Sequence, residues 1–341
     1  MASLLAAIAV TLVTWASAFV AIRHAIHGFP PASLALIRFV IASVVLAMFT
    51  LPTGRVPLRG IPRRDWMGFL LMGLITVAIY HTALNAGERT VSAGAASLLI
   101  NTGPIWTALI AMAFLGERLG SRGWIGTGVA FVGAVTVSVG AAGGIRFEGD
   151  VGLILLASLA QAVYFVLAKN YLKRYGTLQS TCLTLWLGTL FLLPFTFELA
   201  RALRSATPAQ LSSAIYLGLA PGAIGYLTWT YVLSRMPASR AASLLYLVPP
   251  LAYLIGWALL GERPDLAAFL GGVPIIAGLA LVNTRGKVAP ARGSPRSAPH
   301  VESRTPGEER GARKAADRQA SLDDPDPGGV AVGRIPRRRP R

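Results

Sequence analysis

Apolar residues run along this chain in blocks of about twenty, set apart by short polar breaks, from Leu4 to Asn283. A bilayer core about 30 Å thick is crossed by about 20 mostly apolar residues in a helix. The blocks therefore predict spans at roughly 4–22, 32–51, 66–86, 91–115, 124–142, 151–168, 178–197, 211–232, 239–260 and 266–283. This is the pattern of an all-α integral membrane protein with about ten transmembrane helices. Past residue 285 the pattern stops, and Pro, Gly, Ser, Arg and acidic residues take over as far as Arg337, Arg338 and Arg339. Such a segment buries too little apolar surface to offset its chain entropy, so 286–341 reads as a disordered, basic, Pro/Arg-rich tail.

Composition points to lipid as the solvent. Of 341 residues 54% are hydrophobic and 14% charged, where soluble domains carry about 25% charged residues. The formal net charge is +17, and where it sits decides what it means. Arg285 to Arg341 holds 14 Lys/Arg and 7 Asp/Glu, which leaves 18 and 8 for everything before. With a cytoplasmic N-terminus, ten Lys/Arg fall in inner loops, Arg64 and Lys173 among them, against six in outer loops, Arg201 among them. The tail adds its 14 to the inner side. The positive-inside bias thus places both termini in the cytoplasm of a cell membrane, and no nucleic acid is needed to explain the charge. The tail reads as solvated; a sharper role is contact with anionic lipid headgroups, which the interleaved Glu308, Glu309, Asp323 and Asp324 weaken. Cys182 is the only cysteine, which excludes an intrachain disulfide and a Cys-based metal site.

The chain also matches itself at an offset of 145 residues. Ala93, Ala96, Leu99, Pro104, Leu115, Gly116, Glu117, Arg118, Gly126 and Gly133 fall on Ala238, Ala241, Leu244, Pro249, Leu260, Gly261, Glu262, Arg263, Gly271 and Gly278. Five helices is an odd number, so a second copy of such a unit crosses the bilayer in the opposite sense. The organisation this predicts is two inverted five-helix repeats, 1–142 and 143–285, followed by the tail 286–341. In such architectures the substrate site lies near the midplane between the halves.

Trp15-Ala16-Ser17-Ala18-Phe19-Val20-Ala21-Ile22, Pro31 followed by Arg38-Phe39, and the doubled segment of small residues, Pro and Leu-Gly-Glu-Arg resemble EamA-type members of the drug/metabolite transporter superfamily. The resemblance covers about 1–284. It implies a ten-helix carrier, many of its kind being exporters of amino acids and related metabolites.

Polar and aromatic groups inside spans are informative, because hydrocarbon penalises them unless they face a partner or a wet cavity. The candidate substrate-binding residues are Trp15, Ser17, Tyr80, His81, Asn101, Gln161, Tyr164, Tyr226, Trp229 and Tyr246. Several sit at matched positions: Tyr80 and His81 on Gly225 and Tyr226, Asn101 on Tyr246, Phe19 on Tyr164. Hydrogen bonding between helices and anchoring at the interface are the plainer roles for each residue alone. Arg38 lies about six residues inside span 2, shallow enough to snorkel to the interface; a partner for a substrate carboxylate is its other reading. Pro104 and Pro249 break matched helices and mark moving or site-lining elements. Glu117 and Glu262 follow a glycine and precede a helix, and each reads as a structural charge on that following helix, with a gate role through the adjacent Arg.

With the resemblance, these features predict a secondary transporter that moves a small metabolite by alternating access, without cofactor or metal; that the metabolite is an amino acid or related compound, carried outward, is what the resemblance implies. The alternatives are a membrane-embedded enzyme, for which the four histidines give no ligand set, and a membrane scaffold, which leaves the matched polar set unexplained. The sequence carries no signal for an oligomeric state. No acidic residue falls in the middle of a span, so any proton coupling is expected to run through His81.

The topology is tested by labelling. With Cys182 replaced by Ser, single Arg64→Cys, Lys173→Cys and Arg201→Cys variants are treated with a membrane-impermeant maleimide on intact cells; only the Arg201 variant is expected to react, and labelling at residue 64 from outside overturns the orientation.

Overall fold

The computed structural model describes residues 1–90, 96, 99–141, 150–260 and 266–283. The tail, Glu262 and the segment around Ala93 lie outside them. All secondary structure among the described residues is helical. Helix α1 spans Ala2–Ile26 and α2 Pro31–Thr50, where proline in the first turn gives up only an N–H that had no helical partner. Helix α3 runs Arg63–Gly87 and contains a π-helical segment at Leu74–Ile79. Helix α4 is Gly103–Leu115 and α5 Ser121–Ala141. Helix α6, Val151–Leu190, is 40 residues long, about 60 Å and twice a hydrocarbon core. Gly176, at φ 72° and ψ 174°, breaks it into two arms, and only glycine takes that φ without strain.

The predicted span 178–197 ends early: the helix stops at Leu190, Pro194 sits in a 3-10 turn, and a separate helix α7, Thr196–Ser205, follows. Its polar residues and the outward Phe197, 83% exposed, suit a helix lying along a membrane surface. Helix α8, Pro208–Arg235, starts on a capping box in which Thr207 and Gln210 satisfy each other's backbone N–H, and it contains a second π-helical segment, Gly218–Gly225. Helix α9 is built from Ala238–Ser243, a 3-10 turn Leu244–Leu247 and Val248–Leu260; α10 is Leu266–Asn283.

Among the described residues, α1, α2, α3, α6 and α8 are long and apolar enough to cross a membrane, and α4 and α10 add shorter apolar helices. Large apolar side chains cover the outside: Phe49, Phe114 and Val273 are 74%, 79% and 71% exposed. Water would penalise such a surface, whereas lipid accepts it. The interior holds many buried Ala, Ser and Thr residues, Ala35, Ala42, Ser33 and Thr184 among them.

Helices approach backbone to backbone at glycines. A Cβ on Gly126 would meet the Gly278 carbonyl at 2.6 Å, and one on Gly133 the Gly271 carbonyl at 2.6 Å. The numbers run oppositely, so α5 and α10 pack antiparallel, each placing the same pair of glycines against the other. Gly73 of α3 meets Gly188 of α6 in the same way, with 2.5 Å from its added Cβ to the Gly188 nitrogen. At the 145-residue offset Gly73 becomes Gly218, whose Cβ would lie 2.7 Å from Ile41 and 2.9 Å from the Arg38 carbonyl of α2. The two π-helical segments, 74–79 and 218–225, fall on each other at that offset as well.

Gly278→Ala puts a methyl where backbone atoms lie 2.5 Å away and is expected to cost about 1–3 kcal/mol, the range for overpacking. Gly272→Ala, with nothing within 4 Å, is expected to be neutral or slightly stabilising, as alanine is the better helix former. Thermal unfolding in detergent checks both; equal melting temperatures would show that the α5–α10 contact does not limit stability.

Candidate functional site

A narrow cavity of about 60 Å³ opens among seven elements. Trp15, Ala18, Phe19 and Ile22 line it from α1, and their spacing of i, i+3, i+4 and i+7 is one face of a helix. Arg38 enters from α2, Tyr80, His81 and Leu84 from α3, and Ile100, Asn101 and Pro104 from the stretch that leads into α4. Gln161 of α6, Pro221 and Tyr226 of α8, and Leu245 and Val248 of α9 complete the wall. Both π-helical segments end directly before the lining residues Tyr80 and Tyr226, and such segments recur at functional sites.

The aromatic groups form a continuous wall. Trp15 lies 5.8 Å from Tyr226 and 5.3 Å from Trp229. His81 sits edge-on at 4.5 Å from both Phe39 and Tyr80. Where α3 carries Tyr80, the matched position in α8 is Gly225, and the indole of Trp15 uses the space: a Cβ on Gly225 would lie 2.7 Å from the Trp15 Nε1. Polar ends are paired inside the wall, as a low-dielectric surrounding requires. Gln161 Nε2 donates to the Tyr80 hydroxyl at 3.1 Å, and the Tyr226 hydroxyl pairs with Thr76 Oγ1 at 3.1 Å. His81 Nδ1 lies 2.7 Å from the Thr76 carbonyl. A carbonyl only accepts, so Nδ1 carries the hydrogen and Nε2 is the atom left to take up a further proton.

Six of the ten sequence candidates thus meet at the cavity: Trp15, Tyr80, His81, Asn101, Gln161 and Tyr226. Four do not. Ser17 is rotated off the lining face of α1 and pairs with the Tyr216 hydroxyl at 2.6 Å. Tyr164 and Trp229, each one turn beyond a lining residue, pack behind it: Tyr164 lies 6.2 Å from Tyr226, and Trp229 4.6 Å from Phe165. Tyr246 sits in the 3-10 turn of α9, where Leu245 and Val248 take the cavity face, and it packs instead with Ala130, Ala134 and Ile275. Pro104 lines the cavity as a first-turn residue, just after turn residues 101–102, so the matched break lies at the helix start rather than inside it. Pro249 is likewise the second residue of Val248–Leu260, after the 3-10 turn.

Arg38 does not snorkel. It is 3% exposed, lines the cavity, and leaves Nε and Nη1 without a hydrogen-bond partner. Its guanidinium carbon lies 6.0 Å from the centre of the Phe39 ring. Distance along a helix from the span end misjudges it because α2 is wrapped by α3, α6 and α8, which leaves the side chain no path to the interface. An unpaired buried charge costs several kcal/mol, so this residue stores an unmet demand for an anion.

Glu117 also departs from its expected role. Gly116 ends α4 at φ 63°, and the carboxylate then reaches not the following helix but the start of α9. It accepts from the Ala238 and Ser239 nitrogens at 2.7 and 3.0 Å and from the Ser239 hydroxyl at 2.6 Å. Close by, Lys169 Nζ donates to the Leu233 and Met236 carbonyls at 2.6 and 2.8 Å. A carboxylate on a helix start and an ammonium on a helix end both complement the backbone dipoles, and together they hold the α8–α9 turn.

Residues 2–139 and 150–284 each match the model of the EamA-like transporter family. The chain is 40% identical over 279 residues to a protein of Streptantibioticus cattleyicolor named "Probable terminal-alkyne amino-acid exporter", covering 82% of this chain and 93% of that one. It is 38% identical to the uncharacterized transporter YdfC of Bacillus subtilis, over 78% of this chain and 86% of the relative. A crystal structure at 21% identity superposes with a TM-score of 0.69, covering 83% of this chain and 97% of the other, which shows the fold to be shared.

Removing the Glu117 carboxylate leaves the N–H groups of Ala238 and Ser239 without this partner. Glu117→Ala is expected to lower stability by about 0.5–2 kcal/mol, the range for a lost helix cap, with Glu117→Gln in between. Unfolding in detergent measures it; an unchanged midpoint for the alanine variant would show that the α9 start is held by other contacts.

Proposed function

Because the chain belongs to the EamA-like transporter family, we propose that it carries a small metabolite, an amino acid or a related compound, outward across the cell membrane through the cavity between its two halves. The cavity is the observation that supports this most directly. Its aromatic wall of Trp15, Phe19 and Tyr226 suits the apolar part of a substrate, and Asn101, Gln161 and Tyr80 offer polar groups for the other end. The name of the Streptantibioticus relative, an amino-acid exporter, favours the same substrate class.

Alternating access follows from the organisation proposed here: ten spans in two inverted five-helix halves, with N- and C-termini cytoplasmic. The antiparallel α5–α10 contact, the matched π-helical segments and the exchanged glycine contacts of Gly73 and Gly218 support it. In this reading the Glu117 clamp lies at the cytoplasmic end, where it holds the two halves together while substrate leaves from the other side. In this reading the cavity binds the substrate and releases it unchanged.

Counterflow in proteoliposomes tests the proposal. Vesicles loaded with an unlabelled neutral amino acid are expected to take up the labelled form against its gradient. Trp15→Ala and Tyr226→Ala, which open the aromatic wall, should raise the apparent KM about tenfold or more, as loss of about 1.4 kcal/mol of binding requires. A panel of all neutral amino acids without counterflow rejects the substrate class.

A further inference from the structure

A second ionisable group, Glu88, stands close enough to Arg38 for their charges to interact. Glu88 closes α3 one turn beyond Leu84: its N–H donates to the Leu84 carbonyl at 2.9 Å, and Leu84 lines the cavity. Residues 81, 84 and 88 therefore stack on one helical face, with His81 and Leu84 in the cavity wall and Glu88 one turn further along the helix. One carboxylate oxygen of Glu88, Oε1, is buried with no hydrogen-bond partner. Arg38, buried in the same wall, lacks a partner at Nε and Nη1. Among the described residues the only salt bridge is Arg174 with Asp65; Arg38 and Glu88 feel each other's charge without touching.

We infer that Arg38 is the group that binds the carboxylate of a transported amino acid, and that Glu88 is the resident anion with which that carboxylate competes. The inference rests on the amino-acid reading above and assigns its polar pole. A guanidinium offers two parallel N–H donors that match a carboxylate, and here two of its nitrogens are unpaired. The aromatic wall then holds the side chain of the substrate, so the preferred ligand has a free carboxylate joined to an apolar group. A carboxamide of the same shape fits the wall and lacks the charge.

Competition by Glu88 makes binding depend on pH. Burial pushes the Glu88 carboxyl up to about 8, against the opposing pull of Arg38 and Arg23. The described charged and titratable groups that act on it are Arg23 from α1, Arg38 from α2 and Tyr80 from α3. Below pH 8 Glu88 carries its proton, is neutral, and leaves Arg38 to the substrate. Above pH 8 it ionises, and its negative charge offsets the positive charge of Arg38 and weakens the hold of Arg38 on a second anion. The neutral fraction falls as the pH is raised from 7 to 9, and affinity for a carboxylate falls with it. Protonation of Glu88 and binding of the substrate thus favour one another, as linkage demands.

The experiment uses the purified full chain in detergent. The probes are the neutral L-amino acid that raises the melting temperature most and its carboxamide, each titrated at pH 7 and pH 9. The wild type is expected to prefer the acid by about tenfold or more at pH 7 and to lose most of that preference at pH 9. Arg38→Gln should bind acid and amide alike. Arg38→Lys, which keeps the charge, should retain part of the preference and guards against a folding defect in the glutamine variant. Glu88→Gln should keep the preference at both pH values. If Arg38→Gln still prefers the acid, or if the pH dependence survives in Glu88→Gln, the assignment is wrong. A wild type that responds to no amino acid fails earlier and rejects the proposed function itself.

Discussion

Lipid tails are as apolar as leucine, so helices in a bilayer gain little by hiding apolar side chains from their surroundings. What holds this bundle together is close approach, and close approach is set by glycine. Gly126 against Gly278, Gly133 against Gly271 and Gly73 against Gly188 bring backbones to distances that no side chain permits. The Gly73 contact sets how closely α3 lies against α6, and Gly218, whose Cβ would lie 2.9 Å from the Arg38 carbonyl, sets how closely α8 lies against α2. These are the helices that bring Tyr80, Gln161, Tyr226 and Arg38 to one cavity.

Polar side chains finish what the glycines begin. Thr181 with Thr230, Thr11 with Thr228 and Ser43 with Thr189 pair hydroxyls across helices at 2.7, 2.7 and 3.0 Å. At the bundle ends charged groups serve backbone atoms, Glu117 on the α9 start and Lys169 on the α8 end. The cavity is the exception to this economy. Trp229 Nε1, Tyr246 Oη and two nitrogens of Arg38 are buried without partners, but only Arg38 among these three lines the cavity, and it carries a full charge. Its demand for a partner is therefore of a different order from that of the two neutral groups.

Much of this was legible in the residues. Apolar block length located the helices, because a helix in lipid must satisfy its own backbone and so must be long. The polar residues in those blocks gave six cavity groups, since an amide or imidazole in hydrocarbon needs a destination. Phase was not legible. Ser17 and Tyr246 are polar and in the right helices but face other neighbours, and the 3-10 turn at 244–247 and the π-helical segments shift the phase in ways no hydropathy window records. Apolar lining residues such as Ile22, Leu84 and Val248 could not be told from lipid-facing ones. Depth misled for Arg38, because distance from a helix end does not report which helices wrap around it.

The π-helical segments bear on the numerical match along the chain as well as on shape. A wide turn of this kind holds one residue more than the α-helical turn it replaces, so a segment present in one half only would break the numerical match between the halves at that point. It does not: Gly73 falls on Gly218 before the segments, and Ala96 on Ala241 after them, at one unchanged spacing. The two segments therefore occupy equivalent places in the two stretches that match the family, and neither lengthens its stretch relative to the other.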